Sequence, residues 1–181
     1  MKLILVAPGP AATHREAVFG DAGDPLGGVP ITIRPEGAVY CAPEVACREA
    51  AARTGALPVP LAGLAGPDFG AWHGLALRQV IERDPAGLQD WLHDPTACPH
   101  GGESLATHLQ RIGSVLDAGE WPVRGATVIA SALTVRAAGV HALGAHAESL
   151  LHLDVAPGTI ARVSLTHGTW RLQSLVPPSR G

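Results

Sequence analysis

The sequence predicts an α/β protein, a three-layer α/β/α sandwich around a mainly parallel central sheet. Three observations carry that expectation. Residues 2–6 form an unbroken apolar run after the lysine, the pattern of a strand buried on both faces. Strand-like and helix-like segments alternate along most of the chain, as βα units require. Residues 149–175 then switch to the alternating pattern of strands.

The elements follow in order. Lys2-Leu-Ile-Leu-Val6 runs into Pro8-Gly9-Pro10, which breaks the strand. A short helix is expected over residues 11–18, then an irregular Gly/Pro/Asp-rich excursion over 20–30. Residues 38–41 read as a strand, and Pro43 begins a helix through Arg53, since proline suits a first helical turn. Gly55 closes that helix, and residues 57–61 are extended. Residues 63–74 are glycine-rich and hold Phe69, Trp72 and His73. Helical patterns follow over 75–83 and 86–92, with a loop over 94–102. Leu105, Leu109, Ile112 and Leu116 share one face of an amphipathic helix over 103–117, which puts His108 on its solvent side. Residues 127–130 form a strand, 133–143 a helix, and His167-Gly168 turns a hairpin in the tail. No repeat or linker divides the chain, so one domain is expected over 1–181.

Composition bounds the function. The 181 residues suffice for one substantial core, and 46% hydrophobic against 16% charged residues favours folding over disorder. A net charge of -3 argues against nucleic acid as a partner, because phosphate backbones are held by excess Lys and Arg. Lys2 is the single lysine, which excludes a Walker A loop and a Schiff-base lysine. Cys41, Cys47 and Cys98 make an odd set without a CxxC pair, which suits reduced thiols in a cytoplasm. The first apolar run stops at Pro8, too soon for a signal peptide or a membrane span. His141 and His146 are five apart and no HExxH occurs, so neither a metal nor another cofactor is expected.

Five segments carry a resemblance. They are Leu3-Ile-Leu-Val6 entering the Gly9 turn, and Val39-Tyr-Cys-Ala-Pro43 before a helix. Next come Asp68-Phe-Gly-Ala-Trp-His-Gly74, and Pro99-His-Gly-Gly-Glu-Ser104 followed by Arg111. The last is Val128-Ile-Ala-Ser-Ala-Leu-Thr-Val-Arg136. In this order, over roughly residues 1–175, the chain resembles the histidine phosphatase (phosphoglycerate mutase-like) superfamily, and in size its cobalamin-pathway phosphatase branch. The resemblance implies that family's sandwich and a pocket where a histidine takes up a phosphoryl group.

At the positions carrying that chemistry the chain departs from the family. The family's first strand enters Arg-His-Gly; here those slots are Ala7 and Pro8. Proline offers neither a nucleophile nor a backbone N–H. The second clamping arginine aligns with Ala46, and Arg48 lies about 200° around a helix from it. The general-acid glutamate falls near Gly66, with Asp68 the nearby carboxylate, and the second histidine aligns with Ser131. Phosphoryl transfer needs a positive cradle, and each charged hydrogen bond in it contributes about 1.5–3 kcal/mol. The resemblance with these departures implies a pseudoenzyme that binds a small ligand or a protein partner, compatible with a homodimer. The alternative is an enzyme with new chemistry in the same pocket. Residual phosphomonoester hydrolysis fits least.

Several residues are candidates for such chemistry. Ser131, between Ala130 and Ala132 at a strand-to-helix junction, resembles a nucleophile elbow; capping of the helix is the reading its position favours. His14 aligns with the family's pocket asparagine and is either a base for Ser131 or a helix-surface histidine. His73 replaces the glutamate of the family's Trp-Glu-Gly, and His100 precedes the Gly-Gly turn; each also reads as a solvated loop residue. Glu103 either suits the helix dipole or serves as a general base at the pocket rim. Arg136 is the remaining cation near Ser131, although its helical offset favours an internal ion pair. The expected ligand-binding set is Gly9, Thr13, His14, Trp72, His100 and Arg136, with Trp72 as a pocket wall.

Overall fold

The apolar run at the amino terminus becomes β1 (Lys2–Val6), with Leu3, Ile4, Leu5 and Val6 all buried. Burial of consecutive residues requires cover on both faces of a sheet. The same is true of β4 (Ala126–Ile129), buried throughout. The other strands are β2 (Ala38–Cys41), β3 (Val59–Pro60), β5 (Ile160–Thr166) and β6 (Thr169–Val176). They form one six-stranded sheet in the order β3-β2-β4-β1-β5-β6. In this computed structural model, which describes residues 1–9, 17–20, 25–26 and 34–178, β1, β2, β3 and β4 run parallel. β5 is antiparallel to both β1 and β6. The expected α/β sandwich with a mainly parallel sheet is the architecture adopted.

Among the described residues five helices complete the layers: α1 (Val45–Ala52), α2 (Leu77–Arg83), α3 (Pro85–His93), α4 (Leu105–Ala118) and α5 (Ala132–Ala142). Capping residues set where they start. Ser104 and Ser131 accept the N–H groups of Thr107 and Thr134, at 3.1 and 3.2 Å. These caps start α4 at Leu105 and α5 at Ala132, leaving Glu103 outside its helix. Asp84 caps α3 and Pro85 takes the first turn. In contrast, Pro43 lies outside α1, whose cap position is Glu44. The helix expected over 11–18 falls almost wholly outside the described residues. The tail does not begin as strand: residues Ala147–Leu151 form a 3-10 turn before β5. His167 (φ 51°) and Gly168 (φ 74°) make the expected hairpin turn, both left-handed as a two-residue turn requires.

Two motif loops interlock beside the sheet. Ala71 N–H donates to the His100 carbonyl at 2.8 Å, and Glu103 N–H to the Asp68 carbonyl at 2.7 Å. A side chain on Gly102 would overlap the Asp68 carbonyl, and one on Gly70 the His100 carbonyl. The glycines of the two motifs are therefore a single requirement, contact of backbone with backbone. Beneath them Phe69, Trp72, Val80 and Leu88 form a second apolar cluster, with Phe19 and Trp91 against it. No helix among the described residues is long and apolar enough to cross a membrane.

Candidate functional site

Three strand ends meet at one edge of the sheet. β2 passes into Ala42-Pro43-Glu44, β4 into Ala130-Ser131, and β1 into Ala7-Pro8-Gly9; the three strands are neighbours in the order β2-β4-β1. Ala42 N–H donates to the Ile129 carbonyl at 2.8 Å, and Ala130 N–H to Val6 at 3.1 Å, so the pairing extends to the junctions. The carboxyl edge of parallel strands is where α/β sheets hold ligands. Pro8 and Gly9 are buried there, and Gly158 N–H bonds the carbonyls of both Ala7 and Pro8.

Ser131 is half-buried at this edge. Besides accepting from Thr134 N–H, its hydroxyl lies 3.0 Å from the Thr134 hydroxyl. Capping is thus the role its contacts display. Ser131→Ala is expected to lower stability by about 1 kcal/mol, read as a shift in the urea midpoint.

Glu44 is the residue that reading the sequence missed. One carboxylate oxygen, Oε1, accepts the Gly66 N–H, and the other, Oε2, is buried with no hydrogen-bond partner. A Cβ placed on Gly66 would lie 3.3 Å from Glu44 Oε1 and 3.4 Å from Ser131 Oγ. Glu44, Gly66 and Ser131 are therefore neighbours at the strand edge. The only local signal was a glutamate after Pro43 at a helix start, which reads as dipole complementation.

A polar clip stands beside these residues. Arg111 holds Glu103 with two bonds, Nε to Oε1 at 2.8 Å and Nη2 to Oε2 at 2.6 Å. It also donates to the carbonyls of Gly63, Ala65 and Gly66 at 2.8, 3.1 and 3.2 Å. His108 Nδ1 lies 2.9 Å from Arg111 Nη2, and the ring is only 1% exposed, not on the solvent side as its helical position suggested. The 63–66 turn covers that face of α4. Burial pushes the Glu103 carboxyl up, but hydrogen bonds and charge from Arg111 and His108 outweigh it and hold the group at about 2. A carboxylate so stabilised is a poor general base.

The other candidates separate. Trp72 is 4% exposed and packs its ring 5.3 Å from Phe19 and 4.9 Å from His100, so it belongs to the second cluster. His100 is buried too, which corrects its solvated-loop reading; Nδ1 accepts the Gly102 N–H at 3.1 Å, and burial pushes its pKa down. His73 is exposed, with Gly20 against its ring. Arg136 donates to the Leu150 carbonyl at 3.1 Å and lies 3.4 Å from Asp154, an ion pair at the surface rather than the internal one its offset suggested, because the Asp154 side chain is exposed. Thr13 and His14 lie outside the described residues. A depression of about 410 Å³ opens on the clip side, lined by Gly66, Asp68, Gly102, Glu103, Thr107 and Arg111 among others.

The family model of the histidine phosphatase superfamily (branch 1) matches residues 32–177. The chain belongs to that superfamily. Solved structures agree on the fold: a mycobacterial glucosyl-3-phosphoglycerate phosphatase complexed with VO3 superposes with a TM-score of 0.80, covering 98% of this chain and 99% of that one at 17% identity. The alpha-ribazole phosphatase from Shigella flexneri gives 0.74 at 16% identity, with 100% of both chains covered. In sequence, a bifunctional protein of Mycobacterium tuberculosis is 37% identical over 98 residues, 52% of this chain but 27% of the relative. An uncharacterized protein of Mycobacterium bovis matches to the same extent. The chain thus spans little more than a quarter of the length of these curated relatives. In this histidine phosphatase superfamily member, the edge formed by Pro8, Glu44 and Ser131 is the candidate site.

Proposed function

We propose that this chain is a histidine phosphatase-fold protein without phosphohistidine chemistry, a pseudoenzyme whose strand edge binds a small ligand. The observation that carries the reading is the buried Glu44 carboxylate against Gly66 and Ser131. A phosphate bound there would meet a negative charge, at a cost of about 4 kcal/mol per unit charge at 4 Å and an effective dielectric of 20. Pro8, in the slot that the resemblance gives to the nucleophile, supplies no side-chain nucleophile. Arg111 and Arg136 are committed to Glu103, Leu150 and Asp154 rather than aimed at the edge. Phosphomonoester substrates, named for the structural neighbours, are accordingly not carried over to this chain.

The competing reading is an enzyme with new chemistry built on Ser131. It has the half-exposed hydroxyl in its favour, but Glu103 is ion-paired and His73 is held in an outer loop, so neither serves that hydroxyl. Release of p-nitrophenol from its phosphate and acetate esters discriminates. Both are expected at the buffer rate. Phosphate-ester turnover by the wild type overturns the pseudoenzyme reading, and turnover of either ester that disappears in Ser131→Ala establishes the enzyme.

A further inference from the structure

The two ends of the sheet differ. β3 stops it with two residues, one of them Pro60, which has no N–H to offer a neighbour. β6 closes the other end with eight residues, and among the described residues no chain pairs with its outer side. Alternate N–H and C=O groups of such a strand point away from the sheet, a template for one more strand. Its pairing with β5 is regular from Thr169 to Leu172 and slips by one residue beyond.

Charge gathers on one face of this end. Lys2, Ser164 and Arg171 stand opposite one another across β1, β5 and β6, and Arg162 lies two residues along β5 from Ser164. Side chains alternate along a strand, so the three cations project from the same face. The reverse face carries Leu3, Val163 and Trp170 and packs on α5. All three cations are exposed, and none belongs to a salt bridge among the described residues. β1, β5 and β6 hold no carboxylate at all. In a chain of net charge -3 this segregation is a local excess of positive charge.

Neighbouring strands lie about 4.8 Å apart, so Arg171 and Arg162 stand one and two spacings from a chain added outside β6. Acidic residues on that chain would face Arg171 directly, and opposite charges on neighbouring strands stabilise their pairing. A second copy laid edge to edge would instead bring its own Arg171 and Arg162 to the same seam, where like charges oppose the contact. Duplex nucleic acid would meet the charge but leave the backbone groups of β6 unused.

We infer that β6 docks an extended acidic segment of a protein partner, which adds a seventh strand to the sheet and sets its carboxylates against Arg171 and Arg162. Backbone pairing holds the segment, and the two guanidinium groups select its charge. This docking does not rest on the small-ligand reading above.

Three peptides titrated into the ¹⁵N-labelled protein test it: alternating threonine and glutamate, alternating threonine and lysine, and the acidic peptide N-methylated at every residue. The acidic peptide is expected to shift the amides of residues 169–172 saturably and to slow their exchange with solvent. The lysine peptide, with the wrong charge, and the N-methylated peptide, without N–H donors, are expected to leave them in place. Arg162→Glu combined with Arg171→Glu should weaken binding about tenfold or more, while Arg78→Glu on α2 leaves it unchanged. Arg162→Gln with Arg171→Gln should weaken it as well and covers the case in which the reversed pair fails to fold. Equal binding by either charge variant and wild type, equal binding of the lysine or N-methylated peptide, or no saturable shift overturns the inference. So does a short DNA duplex that displaces the acidic peptide, or a dimer in sedimentation that protects the same amides without peptide.

Discussion

Replacing Arg111 with alanine should destabilise the protein by about 3 kcal/mol at neutral pH, and should also reduce a loss of stability that the wild type shows in acid. Removing one partner of a buried ion pair costs about 3–5 kcal/mol. The lower end applies because the Arg111 side chain is 30% exposed and that of Glu103 14%. Three carbonyls of the 63–66 turn lose their donor at the same time. The acid effect follows from Glu103. Its folded value of about 2 lies below the ordinary 4.5, so its contribution is complete above about pH 4.5 and disappears as pH falls through about 2. The shift corresponds to about 3 kcal/mol at most. Urea unfolding at pH 7 and pH 3 measures both effects. Arg111→Ala should show a smaller drop between the two than the wild type does.

The second large effect is expected at Gly102. An alanine there drives its methyl into the Asp68 carbonyl, which accepts the Glu103 N–H, and into the Gly70 amide, which donates to Asp68 Oδ1. Overpacking against such atoms costs about 1–3 kcal/mol, and the upper end applies because no side chain can rotate away. Gly101→Ala, one residue earlier, meets no atom within 4 Å. Its φ of +70° carries a left-handed penalty of roughly 1 kcal/mol alone. The difference between the two thermal midpoints isolates steric contact from backbone strain. Equal midpoints would remove the interlocked-loop account.

Much of the fold was legible because its signals are local. The run from Leu3 to Val6 is a buried strand in any context, and Ser131 caps because serine before a helix has a donor within reach. His167-Gly168 specifies its turn through its own φ angles. The site was less legible because its contacts are remote. Glu44 meets Gly66 across 22 residues, and Arg111 reaches Gly63 across 48, so neither pairing leaves a periodic trace. His108 shows the same limit: its helical position is polar by pattern, yet the 63–66 turn folds over it. Trp72 and His100 are neighbours only because the two glycine loops interlock.

That interlock, with the Arg111 clip, divides the work of the chain in two. The bonds fixing the loops beside the edge come from backbone groups of residues 68–71 and 100–103 and from one arginine on α4. None of them passes through the side chains of Pro8, Ala46 or Ser131. The mouth is in effect a mount, held in shape by parts other than those it displays. Residues on display can be exchanged while the frame stays folded. Exchanging a displayed residue such as Ser131 then costs only the bonds of its own side chain, about 1 kcal/mol for the helix cap.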